Sequence, residues 1–276
     1  MDRIRLIASD MDATLLDEQS QLPADFEETI HALAELGIRF APASGRPLYT
    51  LEAMFPTLQD ELVFIGDNGG AIRWKGQNLF TSEMSPEGWR ALNRLTREQG
   101  DIAVLCGLES AYVERPFAVH DAVLRHFYTK IEYVDRLEDV AAPADKFTIY
   151  LPQHNAQQAY DTVYASQRSI YSVAVAGECW IDIMNAGVTK GAALEVLGRA
   201  WDLPPECMMA FGDTYNDAEM LQTVRYGFLM ENGSEPLRQK VPFLAPSHRE
   251  AGVMQVLHRV LAQNGCVCPE DFIPAH

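Results

Sequence analysis

The chain has 276 residues, 47% of them hydrophobic, and carries 39 acidic against 22 basic side chains, a formal net charge of −17. That length and composition suit one large folded domain with a smaller companion. The negative charge repels nucleic acid and anionic membrane surfaces, excluding both as partners, and any phosphate site must be locally cationic through a metal, a lysine or helix N-termini.

Ile4 to Ser9 reads as a short buried strand that delivers Asp10 and Asp12 at its C-terminal end. Pro23 opens a helical segment, Ala24 to Leu36, which stops at Gly37. Ile38 to Ala43 is a second strand, followed by Ser44-Gly45-Arg46-Pro47 and a helix from Leu48 to Met54. Leu62 to Ile65 is a third strand, ending at Asp67-Asn68-Gly69-Gly70, and a hairpin around Lys75-Gly76 follows. This β-α-β-α-β order predicts parallel strands with helices on both faces.

The pattern changes near Met84. A helix (Pro86 to Gln99) precedes strand-like runs at Ile102 to Cys106 and Ala111 to Glu114, then a helical run near Val119 to Tyr128. Lys146 to Leu151 is a strand, Ala156 to Gln167 a helix, and Ser172 to Val175 and Trp180 to Met184 are strands. Alternation then returns: helix Lys190 to Trp201, strand Cys207 to Phe211, a helix start at Asp217 to Gln222, and strands Tyr226 to Met230 and Phe243 to Ala245. A helical turn at Glu235 to Lys240 and a helix at Ala251 to Leu261 complete the series. The expected architecture is an α/β domain built from residues 1–83 and 187–276, interrupted by an α+β domain over 84–186.

The five cysteines are odd in number, and Cys266-Val267-Cys268 is too closely spaced for a usual zinc pair, so reduced thiols are expected. Met1 to Arg5 does not read as a signal peptide, and no apolar stretch is long enough to span a bilayer; a cytoplasmic protein is expected.

Ligands of open parallel sheets bind beyond the carboxyl ends of the strands. Asp10 and Asp12 follow the first strand, Ser44 and Gly45 the second, and Gly212-Asp213-Thr214-Tyr215-Asn216-Asp217 the strand ending at Phe211, while Lys190 starts a helix. Each residue type is an ordinary turn or cap residue on its own. Together, Asp10, Asp12, Asp213 and Asp217 would repel one another unless a hard cation neutralised them. Oxygen-only ligands favour Mg2+, and Lys190 adds a point charge suited to a phosphoryl group. His31, His126 and His258 sit in predicted helices as packing or surface residues.

The segments Asp10-Met11-Asp12-Ala13-Thr14, Ala43-Ser44-Gly45-Arg46-Pro47, Gly187-Val188-Thr189-Lys190-Gly191 and Gly212-Asp213-Thr214-Tyr215-Asn216-Asp217 run in the order found in the haloacid dehalogenase-like (HAD) superfamily. Over nearly its whole length the chain resembles the Cof-type phosphatases of that superfamily. The resemblance implies a Rossmann-like HAD core with an inserted α+β cap of the C2B type, and hydrolysis of small phosphomonoesters through an aspartyl-phosphate. It implies Asp10 as nucleophile and Asp12 as general acid and base. Met11 and Gly45, through their amides, Ser44, Lys190 and Asn216 would bind phosphate. Mg2+ would sit on Asp10, the Asp12 carbonyl and Asp213, with Asp217 reaching it through water. Within the cap, Trp180, Glu178, Arg115 and Lys146 are candidates for contact with the rest of the substrate.

Ala13 stands where the family usually has glycine, and at positive φ it would cost about 1 kcal/mol. That departure keeps a low-activity phosphate-binding module open as an alternative, beside a phosphomutase-like phosphotransferase. A response-regulator receiver domain also pairs acids with a lysine, but it has about half this length and no cap. Asp67-Asn68-Gly69-Gly70 reads equally as a tight turn or as a substrate contact. The expected partner is a small phosphate ester; the oligomeric state is not legible, and a monomer is compatible with the sequence.

Overall fold

The computed structural model describes residues 1–276. Its main sheet has six strands in the order Ile273–Pro274, Phe243–Ala245, Tyr226–Met230, Met208–Gly212, Leu6–Ser9, Arg39–Pro42. The five longer strands are parallel, and the two-residue edge strand Ile273–Pro274 is antiparallel. Ile7 lies opposite Met209 on one side and Phe40 on the other. Strand Leu6–Ser9 is thus paired on both sides, and its C-terminal end opens between those of Met208–Gly212 and Arg39–Pro42.

Side chains alternate between the faces of a strand, so the sheet separates two apolar layers. Ile7, Phe40, Met209, Phe211 and Phe228 pack on one face with Phe26, Ile30 and Leu33 of helix Phe26–Glu35 and Val253, Leu257 and Val260 of helix Gly252–Ala262. Leu6, Ala8, Ala41, Met208 and Ala210 pack on the other with Leu194 and Leu197 of helix Lys190–Trp201 and Met220 of helix Ala218–Thr223. Helices on both faces explain why these strands are apolar throughout.

The strand Val63–Gly66 departs from the expected parallel array. It touches the main sheet through one parallel bridge, Ala43 to Ile65, and otherwise forms a three-stranded antiparallel sheet with Ala71–Trp74 and Gln77–Thr81. The two-residue turn between the latter pair has φ of 49° at Lys75 and 70° at Gly76, the geometry that matches the twist of an antiparallel hairpin.

A second six-stranded sheet runs Tyr171–Ala176, Trp180–Asn185, Ala144–Tyr150, Ile102–Gly107, Ala111–Glu114, Ile131–Val134. All its pairings are antiparallel except the last. Helix Pro86–Gln99 covers one face through Trp89 and Leu92. Ser85 caps it by accepting from the Gly88 amide, and Gly100 ends it in the left-handed conformation. Two expected helices are shorter than the sequence suggested. The run near Val119 is a 3-10 turn, Arg115–His120, before helix Asp121–Phe127. The segment from Ala156 breaks after Asp161, where the Thr162 hydroxyl bonds back to the Gln158 carbonyl. No helix is long and apolar enough to cross a membrane.

Candidate active site

Asp10 leaves strand Leu6–Ser9 with its amide bonded to the Phe211 carbonyl, which ties the two neighbouring strand ends together. The next residues, Met11–Leu15, form a loop closed by the Leu16 amide on the Met11 carbonyl at 2.9 Å, with non-helical backbone at Asp12 and Ala13. Met11 turns its side chain into the core, so only its backbone is available to a ligand. Ala13 adopts φ 59°, ψ 14°, the left-handed conformation that disfavours an L side chain, and Asn232 donates to its carbonyl at 2.8 Å.

Lys190 begins its helix fully buried. Its ammonium donates to Asp10 at 2.5 Å and to Asp217 at 2.7 Å. Asp217 also accepts from the amides of Asp213 and Thr214, at 3.0 and 3.2 Å. This tight return requires Gly212, because a Cβ there would lie 2.4 Å from the Asp217 Cβ. The turn at Asp67-Asn68-Gly69 packs under the same helix. Gly69 has φ 99°, and a Cβ on it would fall 2.3 Å from the Thr189 carbonyl oxygen.

Asp10, Asp213 and Asp217 present carboxylate oxygens within 4.8 Å of one another, all buried. Burial pushes the Asp10 carboxyl up to about 8; Lys190 opposes the rise and the charges of Asp217 and Asp213 add to it. Burial likewise lifts Asp213 to about 7, with Asp217 reinforcing it and Lys190 opposing. Three buried carboxylates against one ammonium leave negative charge uncompensated. An all-oxygen donor set of this kind fits a hard divalent cation.

Ser44 and Gly45 line the same cavity as Asp10. The Ser44 amide bonds the Ile65 carbonyl at 2.9 Å, and its hydroxyl accepts from the Arg46 amide at 3.1 Å. Asn216 also lines the cavity, with its amide engaged by Thr214 at 2.6 Å and Asn68 at 3.4 Å. Asp12 reaches the cavity, and Arg46 donates to both its carboxylate oxygens.

The second sheet closes the cavity from the opposite side. Lys146, buried, donates to the Gly45 carbonyl at 2.5 Å and pairs with Asp67 at 3.1 Å. Asp182 accepts from Thr148 at 2.6 Å and from Asn68 at 3.0 Å. Trp180, Glu178 and Lys146 line the cavity, whereas Arg115 lies in a separate surface cleft beside Asp135. His31, His126 and His258 are not among the lining residues. Arg46, Asn68 and Asp182 were not among the site residues expected from sequence. Arg46 directly follows the Ser44-Gly45 pair, and Asn68 sits in the noted turn; Asp182 carries no sequence signal beyond an acid inside an apolar strand.

Asp145 stands beside this junction, at an irregularity in strand pairing between Ala144 and Lys146. It is fully buried and neither carboxylate oxygen has a hydrogen-bond partner. Burial holds its carboxyl well above the usual range; the charge of Asp67 adds to the rise and Lys146 opposes it.

The model of the haloacid dehalogenase-like hydrolase family matches residues 7–257. A 5-amino-6-(5-phospho-D-ribitylamino)uracil phosphatase, YbjI of Escherichia coli, is 30% identical over 94% of this chain and 96% of its own length. An HMP-PP phosphatase of Cronobacter sakazakii is 29% identical over 87% of this chain and 89% of its own. Among solved structures, SMU.1108c from Streptococcus mutans superposes with a TM-score of 0.85 at 27% identity, covering 94% of this chain and 99% of that one.

Proposed function

Because this chain belongs to the haloacid dehalogenase-like hydrolases, we propose that it is a phosphatase that hydrolyses small phosphomonoesters through an aspartyl-phosphate on Asp10. The observation that carries this reading is Lys190, which bridges Asp10 and Asp217 from inside a cluster of three buried carboxylates. We further read residues 1–83 and 187–276 as the core and 84–186 as an inserted cap. A cytoplasmic location is supported by five cysteines that are all free.

In this reading Asp10 attacks phosphorus, and the departing ester oxygen takes a proton from Asp12. Water then attacks the phosphorylated Asp10 while Asp12 accepts its proton, releasing inorganic phosphate and restoring both carboxyl groups. Ser44 and the Gly45 and Met11 amides hold the phosphate oxygens, and Asn216 stands beside them. Lys190 favours the ionised form of Asp10 against the effect of burial and fixes which oxygen faces the substrate. Asp10, the Asp12 carbonyl and Asp213 would hold Mg2+, with Asp217 contributing through water. When bound, the cation supplies positive charge that reduces repulsion between the nucleophilic carboxylate and the anionic ester. Asp217, tied by Lys190 and two amides, positions Asp213 and Lys190.

The test is hydrolysis of p-nitrophenyl phosphate with and without Mg2+, by the wild type and by Asp10→Asn. Magnesium-dependent release abolished by the substitution is expected, because an amide is not a competent nucleophile here. Release that survives the substitution rules the mechanism out.

A further inference from the structure

The cavity over Asp10 has a volume of about 530 Å3, well beyond what a phosphate group needs. Its cap side is aromatic: Phe127, Tyr128 and Trp180 line it. Trp180 is only half-buried, yet three rings fix it. Its centroid is 5.1 Å from Phe127, 6.4 Å from Tyr128 and 4.6 Å from Tyr150. A ring held this way loses little freedom when a ligand packs against it.

Charge around the cavity narrows what fits there. Its lysine and arginine are both engaged by the protein: Lys146 by the Gly45 carbonyl and Asp67, Arg46 by Asp12. The cap contributes two carboxylates, Asp182 and Glu178. A second phosphate or a carboxylate on the leaving group meets no free lysine or arginine there; the remaining basic group, His154, is paired with Glu178 at 3.4 Å, and Asp182 presents like charge. A neutral polyol is tolerated but leaves the aromatic wall without a matching surface.

We propose that the cap half of this cavity is a subsite for an uncharged planar ring, so that the preferred substrates are monophosphate esters carrying an aromatic or heteroaromatic group, with Trp180 as the stacking residue. This assignment rests on the phosphatase reading of Asp10. It makes Trp180 a specificity residue that touches the leaving group rather than the phosphate.

The experiment compares kcat/KM for pyridoxal phosphate, flavin mononucleotide and uridine monophosphate with that for glycerol phosphate and fructose bisphosphate. Wild type, Trp180→Ala, Trp180→Phe and Asp10→Asn are each tested. At least one ring ester is expected to exceed glycerol phosphate and fructose bisphosphate, neither of which carries an aromatic ring, by about tenfold in the wild type. Trp180→Ala should bring that ratio near unity, and Trp180→Phe should restore most of it. A wild type that uses glycerol phosphate or fructose bisphosphate as well as every ring ester overturns the proposal, as does a Trp180→Ala variant that slows all substrates equally. Turnover persisting in Asp10→Asn instead overturns the phosphatase reading. Binding to Asp10→Asn, followed by tryptophan fluorescence, tests the subsite without turnover. The ring ester that the wild type prefers should bind more tightly than glycerol phosphate, and equal affinities refute the ring subsite.

Discussion

Arg46 holds Asp12 by both carboxylate oxygens, at 2.8 and 3.1 Å, so the proposed acid stands turned toward a cation from the second strand end. To protonate a leaving group, Asp12 has to exchange this partner for the ester oxygen. The need for that proton depends on the leaving group: an alkoxide requires it and p-nitrophenolate does not. Asp12→Asn should therefore slow hydrolysis of alkyl phosphates by about 10² to 10⁴-fold. With p-nitrophenyl phosphate the same variant should still release a burst of one equivalent of nitrophenol. Rapid-quench kinetics check this, and equal loss of the first step for both ester types refutes the acid role.

Replacing Lys190 by methionine leaves Asp10 and Asp217 buried without their shared cation. Removing one partner of a buried ion pair destabilises by about 3–5 kcal/mol. Lys190→Met should lower the unfolding free energy by that much, read from urea denaturation, and phosphatase activity should be lost with it. A variant as stable as the wild type shows that the carboxylates find another partner.

The crowding of Asp10, Asp213 and Asp217 predicts that Mg2+ stabilises the fold. At a hundred times its dissociation constant a ligand specific to the native state adds about 2.7 kcal/mol. Scanning calorimetry should show Tm rising with Mg2+ in the wild type and much less in Asp213→Asn. An identical rise in both proteins places the ion elsewhere.

Ala13 sits at φ 59° with its carbonyl held by Asn232. Glycine adopts that conformation freely, although it also gains freedom in the unfolded chain. The strain relieved is about 1–2 kcal/mol, so Ala13→Gly should stabilise the protein by about 1 kcal/mol, read from chemical denaturation. A loss of stability shows that the strain is smaller than the added unfolded-state entropy.

Asp145 gives a pH dependence. In the unfolded chain its carboxyl titrates near 3.8, and in the folded protein well above that. The folded state thus keeps a proton that the unfolded state gives up. The favourable contribution is complete below the unfolded value and is lost as pH rises toward the folded one. Asp145→Asn removes this titration. Its stability advantage should widen as pH rises from about 4 to about 8. Unfolding at both pH values checks the sign; a gap that narrows with pH contradicts it.

Local signals made much of the fold legible. Helix Pro86–Gln99 carries its own cap, proline and terminal glycine, and helix Lys190–Trp201 its Thr189 cap. The apolar strands announced a sheet covered on both faces. Pairing partners were less visible. Nothing local tells Val63–Gly66 to turn away from the parallel array after one bridge, because that choice belongs to the hairpin after it. Strand Ile131–Val134 was missed: Ile-Glu-Tyr-Val is short, and its partner is a distant segment. At the site, Asp10, Ser44, Gly45, Lys190 and Asp213 could be singled out because carboxylates and glycines at strand ends are conspicuous. Lys146 reads only as one of several cap candidates and Asp67 as part of a turn; that they meet Asp182 is not legible, since the three lie on separate stretches and come together only in space.

The bond from Lys190 to Asp10 spans 180 positions, and the strand beneath Asp10 rests against one ending at Gly212. During synthesis Asp10 leaves the ribosome 180 residues ahead of Lys190 and waits that long for its cation. A nascent or truncated chain that stops between the two carries Asp10 without its electrostatic setting, so the proposed hydrolysis has to await folding of segments made far apart in time.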